Sequence, residues 1–522
     1  MKTPNRPKAI RAGCPLSRRR FLSTASAGAL GALAAGSLLP ACASAPKTRV
    51  RVIYALHEAV QPGPDWPNVG FDFHPVMERT TAVVRRALPG GEVLTSMAKG
   101  EEEAKKILAA DAAAPVDGYV VVQLNCWNRV AQTFAASGKP TLYVDFPYGG
   151  SGGFLVYTAG FLRARTPHLG FVASSRPEDL AAACGAFARV KRSGAANEFG
   201  SLVAAVRRGA TPGPGDLSVA DDGLVCLSAA DCRKAMNASK ILAVGGSWPG
   251  IAPAIREQMG IDVVDVPFAE VNDAWAAADK DEAAAVADRW AAAAARVEGV
   301  DRATLLTSAA MYLGQKAVLA RYGANAITIN CLGGFYGGHI HAYPCLGFHE
   351  LLNEGLVGAC ECDVRSTATM VAMTALTNGR PGYISDPVID TAERRIIYAH
   401  CVASNRAFGP SGPANPYEIL THSEDRQGAS VRSLLPAGPM TTTVEVSPER
   451  KLVLFHRAKA VGNSPDDRAC RTKLVAEPVG DIEKLFGEWD EWGWHRVTVY
   501  GDLKEPVYAL ADALGWKVLE EA

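Results

Sequence analysis

The sequence carries no surplus charge of either sign: Lys plus Arg and Asp plus Glu both number 54 over 522 residues. A nucleic-acid partner would need a basic excess or stripe, so that function class is set aside. There is no GxGxxG or GK[ST] pattern, which leaves the glycine loop Tyr148–Gly153 without a nucleotide signature. A small hydroxylated ligand approaching the loop backbone fits it at least as well. The twelve cysteines include no CxxC pair, which excludes zinc-finger spacing. Several, such as Cys331, sit in apolar strand-like runs and read as buried free thiols. No internal period marks a repeat array. With 48% hydrophobic and 21% charged residues, the composition is that of a globular protein of roughly three domains.

The first 45 residues stand apart from any fold argument. Ser17-Arg18-Arg19-Arg20-Phe21-Leu22 is a twin-arginine pattern, followed by a weakly apolar stretch from Ala25 to Leu39. It reads as a signal for export of a folded protein, which predicts a periplasmic or otherwise exported location. About fifteen such residues are too few for a stable membrane span. Leu39-Pro40-Ala41-Cys42 also fits a lipoprotein processing site, with plain cleavage after Ala43 or Ala45 as the alternative, so the only membrane association expected is a lipid anchor on Cys42.

Three regions follow. Residues 48–170 alternate β-like runs (Arg49–Leu56, Gly118–Leu124, Thr141–Phe146) with helical stretches such as Val76–Leu88, predicting a parallel sheet. Residues 171–385 repeat the alternation, with strands at Lys240–Val244 and Gly260–Val266, a long Ala-rich helix over Asp273–Val297, and a strand at Asn325–Cys331. From residue 386 to 522 the pattern becomes β-rich, with antiparallel strands at Thr441–Val446, Lys451–His456, Cys470–Val475 and Trp494–Asp502, closed by a helix at Val507–Leu514. The expected fold is α/β: two Rossmann-like parallel-sheet domains, then a β-rich, barrel-like C-terminal domain.

Gly358-Ala359-Cys360-Glu361-Cys362-Asp363-Val364 is the stretch with most chemistry. Apolar residues precede it, and Met370, Val371, Met373 and Leu376 follow at helical spacing, predicting strand, short turn and helix. Strand alternation would put Glu361 and Asp363 on one face at the sheet's C-terminal edge, where ligands bind in open α/β sheets. Two converging carboxylates suit a hard divalent cation or acid/base work, while helix capping is the ordinary alternative. Cys360 and Cys362 would face away from the carboxylates.

The chain resembles the L-fucose isomerase and L-arabinose isomerase superfamily at four places. These are the strand and glycine turn Lys240–Ile251, the Glu-x-Asp of Glu361-Cys362-Asp363, Cys470-Arg471-Thr472, and Trp494-His495 through Tyr500-Gly501-Asp502. The resemblance implies two α/β domains with a β-barrel-like third. It also implies an aldose–ketose isomerisation through an ene-diol and a divalent metal, most often Mn2+, held by two acids and a histidine. Carried over, Asp363 takes the second acidic position and His495 the histidine. Glu350 takes the first, with Glu354 and Glu361 as alternatives, so the catalytic set is Glu350, Glu361 and Asp363 and the metal set Glu350, Asp363 and His495. Trp494 departs from the family's Asn. A trimer or hexamer is a further implication.

For a small-molecule sugar, Asn125 and Trp127 lie in the polar loop after a strand, where a tryptophan suits stacking on a sugar face. His339 and His341 alternate along a loop ahead of the motif and are a second candidate pair. His400, in a β-like run, reads as a hydrogen-bonded structural histidine. The alternative to an isomerase is an exported carbohydrate-binding or sensing protein on the same fold.

Overall fold

The computed structural model describes residues 47–522; the twin-arginine segment and Cys42 lie outside the described residues. Strands β1 (Arg49–Ala55), β2 (Glu92–Ala98), β3 (Gly118–Gln123), β4 (Thr141–Asp145) and β5 (Leu169–Val172) form a parallel sheet in the order β2-β1-β3-β4-β5. Every residue of β3 is buried, as a near-continuous apolar run demands when helices cover both faces. Val50, Val52, Tyr54, Val120 and Val122 pack under one face with Val84, Phe187 and Phe199. Ile53, Tyr119, Val121 and Tyr143 pack on the other, in one cluster with Tyr383, Ile396 and Tyr398 of the C-terminal region. The helices Pro177–Ser193 and Phe199–Ala210 supply part of the first cluster, so this layer runs past residue 170. The strand order reverses between β1 and β3, and the loops after those strands open into one crevice.

A second parallel sheet joins β6 (Lys240–Val244), β7 (Asp262–Val266), β9 (Ala326–Ile329) and β10 (Val357–Cys360) in the order β10-β9-β6-β7. The Ala-rich segment is not one helix. It breaks into Phe268–Ala276 and Lys280–Ala293, then strand β8 (Arg296–Glu298). Asp279 causes the break by accepting hydrogen bonds from Asp281 N and Glu282 N, which starts a new helix there.

Six antiparallel strands close into a barrel: β11 (Tyr383–Asp390), β12 (Arg395–His400), β15 (Met440–Ser447), β16 (Leu452–Asn463), β17 (Thr472–Pro478) and β18 (Arg496–Tyr500). Around the ring the order is β15-β18-β11-β12-β17-β16, with β16 pairing back onto β15. β13 (Tyr417–Leu420) and β14 (Ser430–Ser433) join β8 in a small separate sheet, and β19 (Lys517–Glu520) adds parallel to β16. The barrel begins at Tyr383, so residue 385 falls inside its first strand rather than at a boundary.

Candidate metal centre at the barrel mouth

Four side chains converge where the second sheet meets the barrel. Glu361, Asp386, His400 and His495 each offer one oxygen or nitrogen atom, and these lie within 4.8 Å of one another. Three come from neighbouring barrel strands. The register pairs Asp386 on β11 with Ala399, beside His400 on β12, and Ser385 with Arg496, beside His495 at the start of β18. The fourth comes from the turn after β10. Glu361 and Cys362 there have φ of 64° and 51°, left-handed values that cost non-glycine residues roughly 1–3 kcal/mol each. Cys362 N donates to Ile329 O at 3.0 Å and fixes the turn. Because the strand ends at Cys360, this left-handed pair, not strand alternation, brings Glu361 and Asp363 to the same histidine.

Asp363 does not belong to the four. It caps the helix Val364–Leu376, accepting from Ser366 N at 3.0 Å and Ser366 Oγ at 2.9 Å. Its Oδ2 also takes the proton of His495 Nδ1 at 2.9 Å. Both the capping and the site reading of Asp363 are therefore realised in one residue, which orients the imidazole from behind. Burial by itself would raise the Asp363 carboxyl, but the hydrogen bonds and charge of His495, with those from Ser366, hold it at about 2. Burial pushes the Glu361 carboxyl above the usual range, against the pull of His495. Burial would lower His495, yet Glu361, Asp386 and Asp363 together push it well above an ordinary imidazole.

The two histidines present opposite faces chemically. His495 spends its Nδ1 proton on Asp363, so Nε2, 3.0 Å from Asp386 Oδ1 and 3.5 Å from Glu361 Oε2, is the nitrogen free to bind a cation. His400 Nδ1 instead accepts from Cys401 N at 2.9 Å. Its Nε2 therefore bears the proton and is a donor, 3.9 Å from both Glu361 and Asp386. His400 Nε2 is buried without a hydrogen-bond partner, a costly condition that a ligand would relieve. His400 is thus a member of the site and not the satisfied structural residue its β-like run suggests. Asp386 escapes sequence reasoning altogether; a carboxylate inside the buried run Tyr383–Ile389 is the signal that marks it.

Other expected residues lie elsewhere. Glu350 gives its carboxylate to Arg289 at 2.8 Å and Trp290 at 3.0 Å and lies outside the cluster of four. Glu354 pairs with Lys316 and Tyr312. Asn125 is consumed by Gln61, the Trp66 carbonyl and His57 N, and so holds the crevice loops together. His339 stacks on Phe268 and His341 leans on Trp275, both against the helix Phe268–Ala276. Trp127 does reach the site's surroundings: its ring lies 6.0 Å from Trp494, which meets Trp66 edge-on at 5.0 Å. Trp494 precedes His495 and donates to Pro387 O, the neighbour of Asp386.

Gly152 of the first layer is pressed against Trp494; a Cβ there would sit 2.6 Å from two ring atoms. Gly152→Ala is expected to displace Trp494, shift the tryptophan fluorescence and cost roughly 1–3 kcal/mol. Emission and stability equal to wild type would show that the ring has room to move.

No family model matches the chain. It is 29% identical over 203 residues to sulfoquinovose isomerase of Clostridium sp. (strain MSTE9), covering 37% of this chain and 43% of that protein. It is 25% identical over 224 residues to sulfoquinovose isomerase of Alkalicoccus urumqiensis, covering 42% and 49%. The enzyme of that name from Priestia aryabhattai is 25% identical over 194 residues, covering 36% and 42%. Part of the chain is therefore similar to part of several sulfoquinovose isomerases. The match spans less than half of each one's length. Among solved structures, the XylFII molecule aligns over 56% of this chain and 85% of its own, at 11% identity and a TM-score of 0.16, too low to establish a shared fold.

Proposed function

We propose that this protein is a metal-dependent aldose–ketose isomerase that works on a sugar through an ene-diol. The observation that carries the reading is the convergence of Glu361, Asp386, His400 and His495 within 4.8 Å, with His400 Nε2 buried and unpartnered among them. The donor set fits a divalent cation: Glu361, Asp386 and His495 would hold it, a borderline-hard set that suits manganese. Such an ion, when bound, lowers the cost of negative charge on two adjacent sugar oxygens.

The remaining steps belong to the chain. Glu361 is the most open of the four, with 32% of its side chain exposed, and so is the carboxylate placed to reach a sugar carbon. It takes the proton from one sugar carbon and returns it to the next. His400 Nε2–H donates to a sugar oxygen, and Trp127 and Trp494 offer apolar faces for the ring. The relatives named sulfoquinovose isomerase support a sugar substrate and the reaction class. The twin-arginine segment supports action outside the inner membrane, with Cys42 as the point of any lipid anchor. A homotrimer or homohexamer follows from the superfamily resemblance.

The test is incubation of purified protein with sulfoquinovose and with neutral hexoses and deoxyhexoses, scored by aldose–ketose interconversion. EDTA is expected to abolish it and Mn2+ to restore it. Sugar binding without interconversion at saturating Mn2+ would overturn the reading in favour of a binding protein.

A further inference from the structure

Behind Asp363 lies a second buried carboxylate. Glu445 on β15 is 1% exposed, and its Oε2 lies 3.0 Å from Ser366 Oγ, the hydroxyl that also lies 2.9 Å from Asp363 Oδ2. Its Oε1 lies 3.1 Å from Thr369 Oγ1, one turn further along the same helix. A hydroxyl has one proton, so Ser366 satisfies one carboxylate as donor and must accept from the other. Asp363 is the anion, since it also receives the His495 proton and Ser366 N. Glu445 is then the group that donates. Among the described residues it forms no ion pair with any Lys, Arg or His. Arg496, the nearest strong positive charge, is engaged by Glu521, and Arg365 by Glu449. A buried carboxyl without a cation partner is neutral. Consistently, burial and then the negative Asp363 push Glu445 up to about 8.

We infer that Glu445, as a neutral acid, is a positioning residue for the centre: it donates to Ser366, Ser366 donates to Asp363, and Asp363 fixes His495 with Nε2 turned towards the cation site. The chain runs from the barrel wall through the helix cap to the imidazole. It rests on the metal reading above for its consequence, but not for its geometry. Outer-shell partners of this kind are worth roughly 10–100-fold in metal affinity.

The discriminating substitution is Glu445→Gln, because an amide NH2 can donate to Ser366 as the acid does. Mn2+ titration of the metal-free protein by calorimetry should give an affinity within about threefold of wild type for Glu445→Gln. For Ser366→Ala it should be roughly 10–100-fold weaker. Glu445→Leu should match Ser366→Ala, and should it fail to fold, the Gln and Ala variants decide alone. A Gln variant as weak as Ser366→Ala would overturn the proposal, since Glu445 would then act as an anion. So would unchanged affinity in Ser366→Ala. Nitrogen-15 NMR of histidine-labelled, metal-free protein reads the same chain without metal. The His495 Nδ1–H signal, hydrogen-bonded to Asp363, should keep its chemical shift in Glu445→Gln and move in Ser366→Ala; an unmoved signal in Ser366→Ala would count against the chain. Wild-type protein that binds no Mn2+ while its His495 behaves as described would sink the metal reading and leave the positioning chain standing.

Discussion

Glu361→Gln is expected to lower turnover by roughly 10²–10⁴-fold, the range that a positioned general base contributes. The fold should be unaffected, because the Glu361 side chain is already about a third exposed, at 32%. A carboxylate that serves both as ligand and as proton carrier differs from one that serves only as ligand. Asp386→Asn should therefore weaken Mn2+ binding and recover most of its rate at saturating metal, whereas Glu361→Gln should stay slow at any metal concentration. Steady-state rates measured across a Mn2+ series decide it. Equal recovery of both variants would remove Glu361 from the proton-transfer role.

Glu521→Gln is expected to destabilise the protein by about 3–5 kcal/mol, the penalty for stranding a buried charge. Glu521 Oε1 meets Arg496 at 2.8 Å and Oε2 meets His456 Nδ1 at 2.9 Å, and all three side chains are fully buried in the barrel. His456 Nε2 continues to Tyr398 Oη at 2.7 Å, and Arg496 lies over the Trp489 ring. Burial alone would raise the Glu521 carboxyl, but Arg496 and then His456 hold it at about 2. Its folded value is below its unfolded one, so its contribution is present above about pH 4.5 and is lost as the pH falls towards 2. Urea unfolding at pH 7 tests the magnitude, and the double variant Glu521→Gln with Arg496→Met should recover much of it. A loss below about 1 kcal/mol in the single variant would show that Arg496 finds another partner.

The architecture was legible because it depends on repetitive signals: continuous apolar runs for parallel strands and polar alternation for barrel strands. The edge strands β2 and β5 and the closing pairing of β16 on β15 were not, because pairing is a long-range property that no local window holds. The site divides the same way. His495 and the Glu361–Asp363 turn stand out as polar motifs beside strands. Asp386 does not, since a boundary drawn at residue 385 cuts β11 one residue before it. His400 looks structural until the fold shows that its Nε2 has no partner. The assignment of Asp363 as a ligand and Glu361 as its companion inverts in three dimensions. Two left-handed residues turn Glu361 into the cluster and leave Asp363 behind the imidazole. Glu350 fails for a plain reason: Arg289 and Trp290 hold it outside the cluster of four.

The ligand set is divided between two layers, Glu361 on the turn of the second sheet and Asp386 and His495 on the barrel. A cation bound there would act as a rivet through the seam between them. Any slippage of sheet against barrel would prise the ligands apart, so metal affinity would register how well the two layers are seated. By the same linkage, metal would raise the melting temperature in proportion to the logarithm of its concentration over Kd.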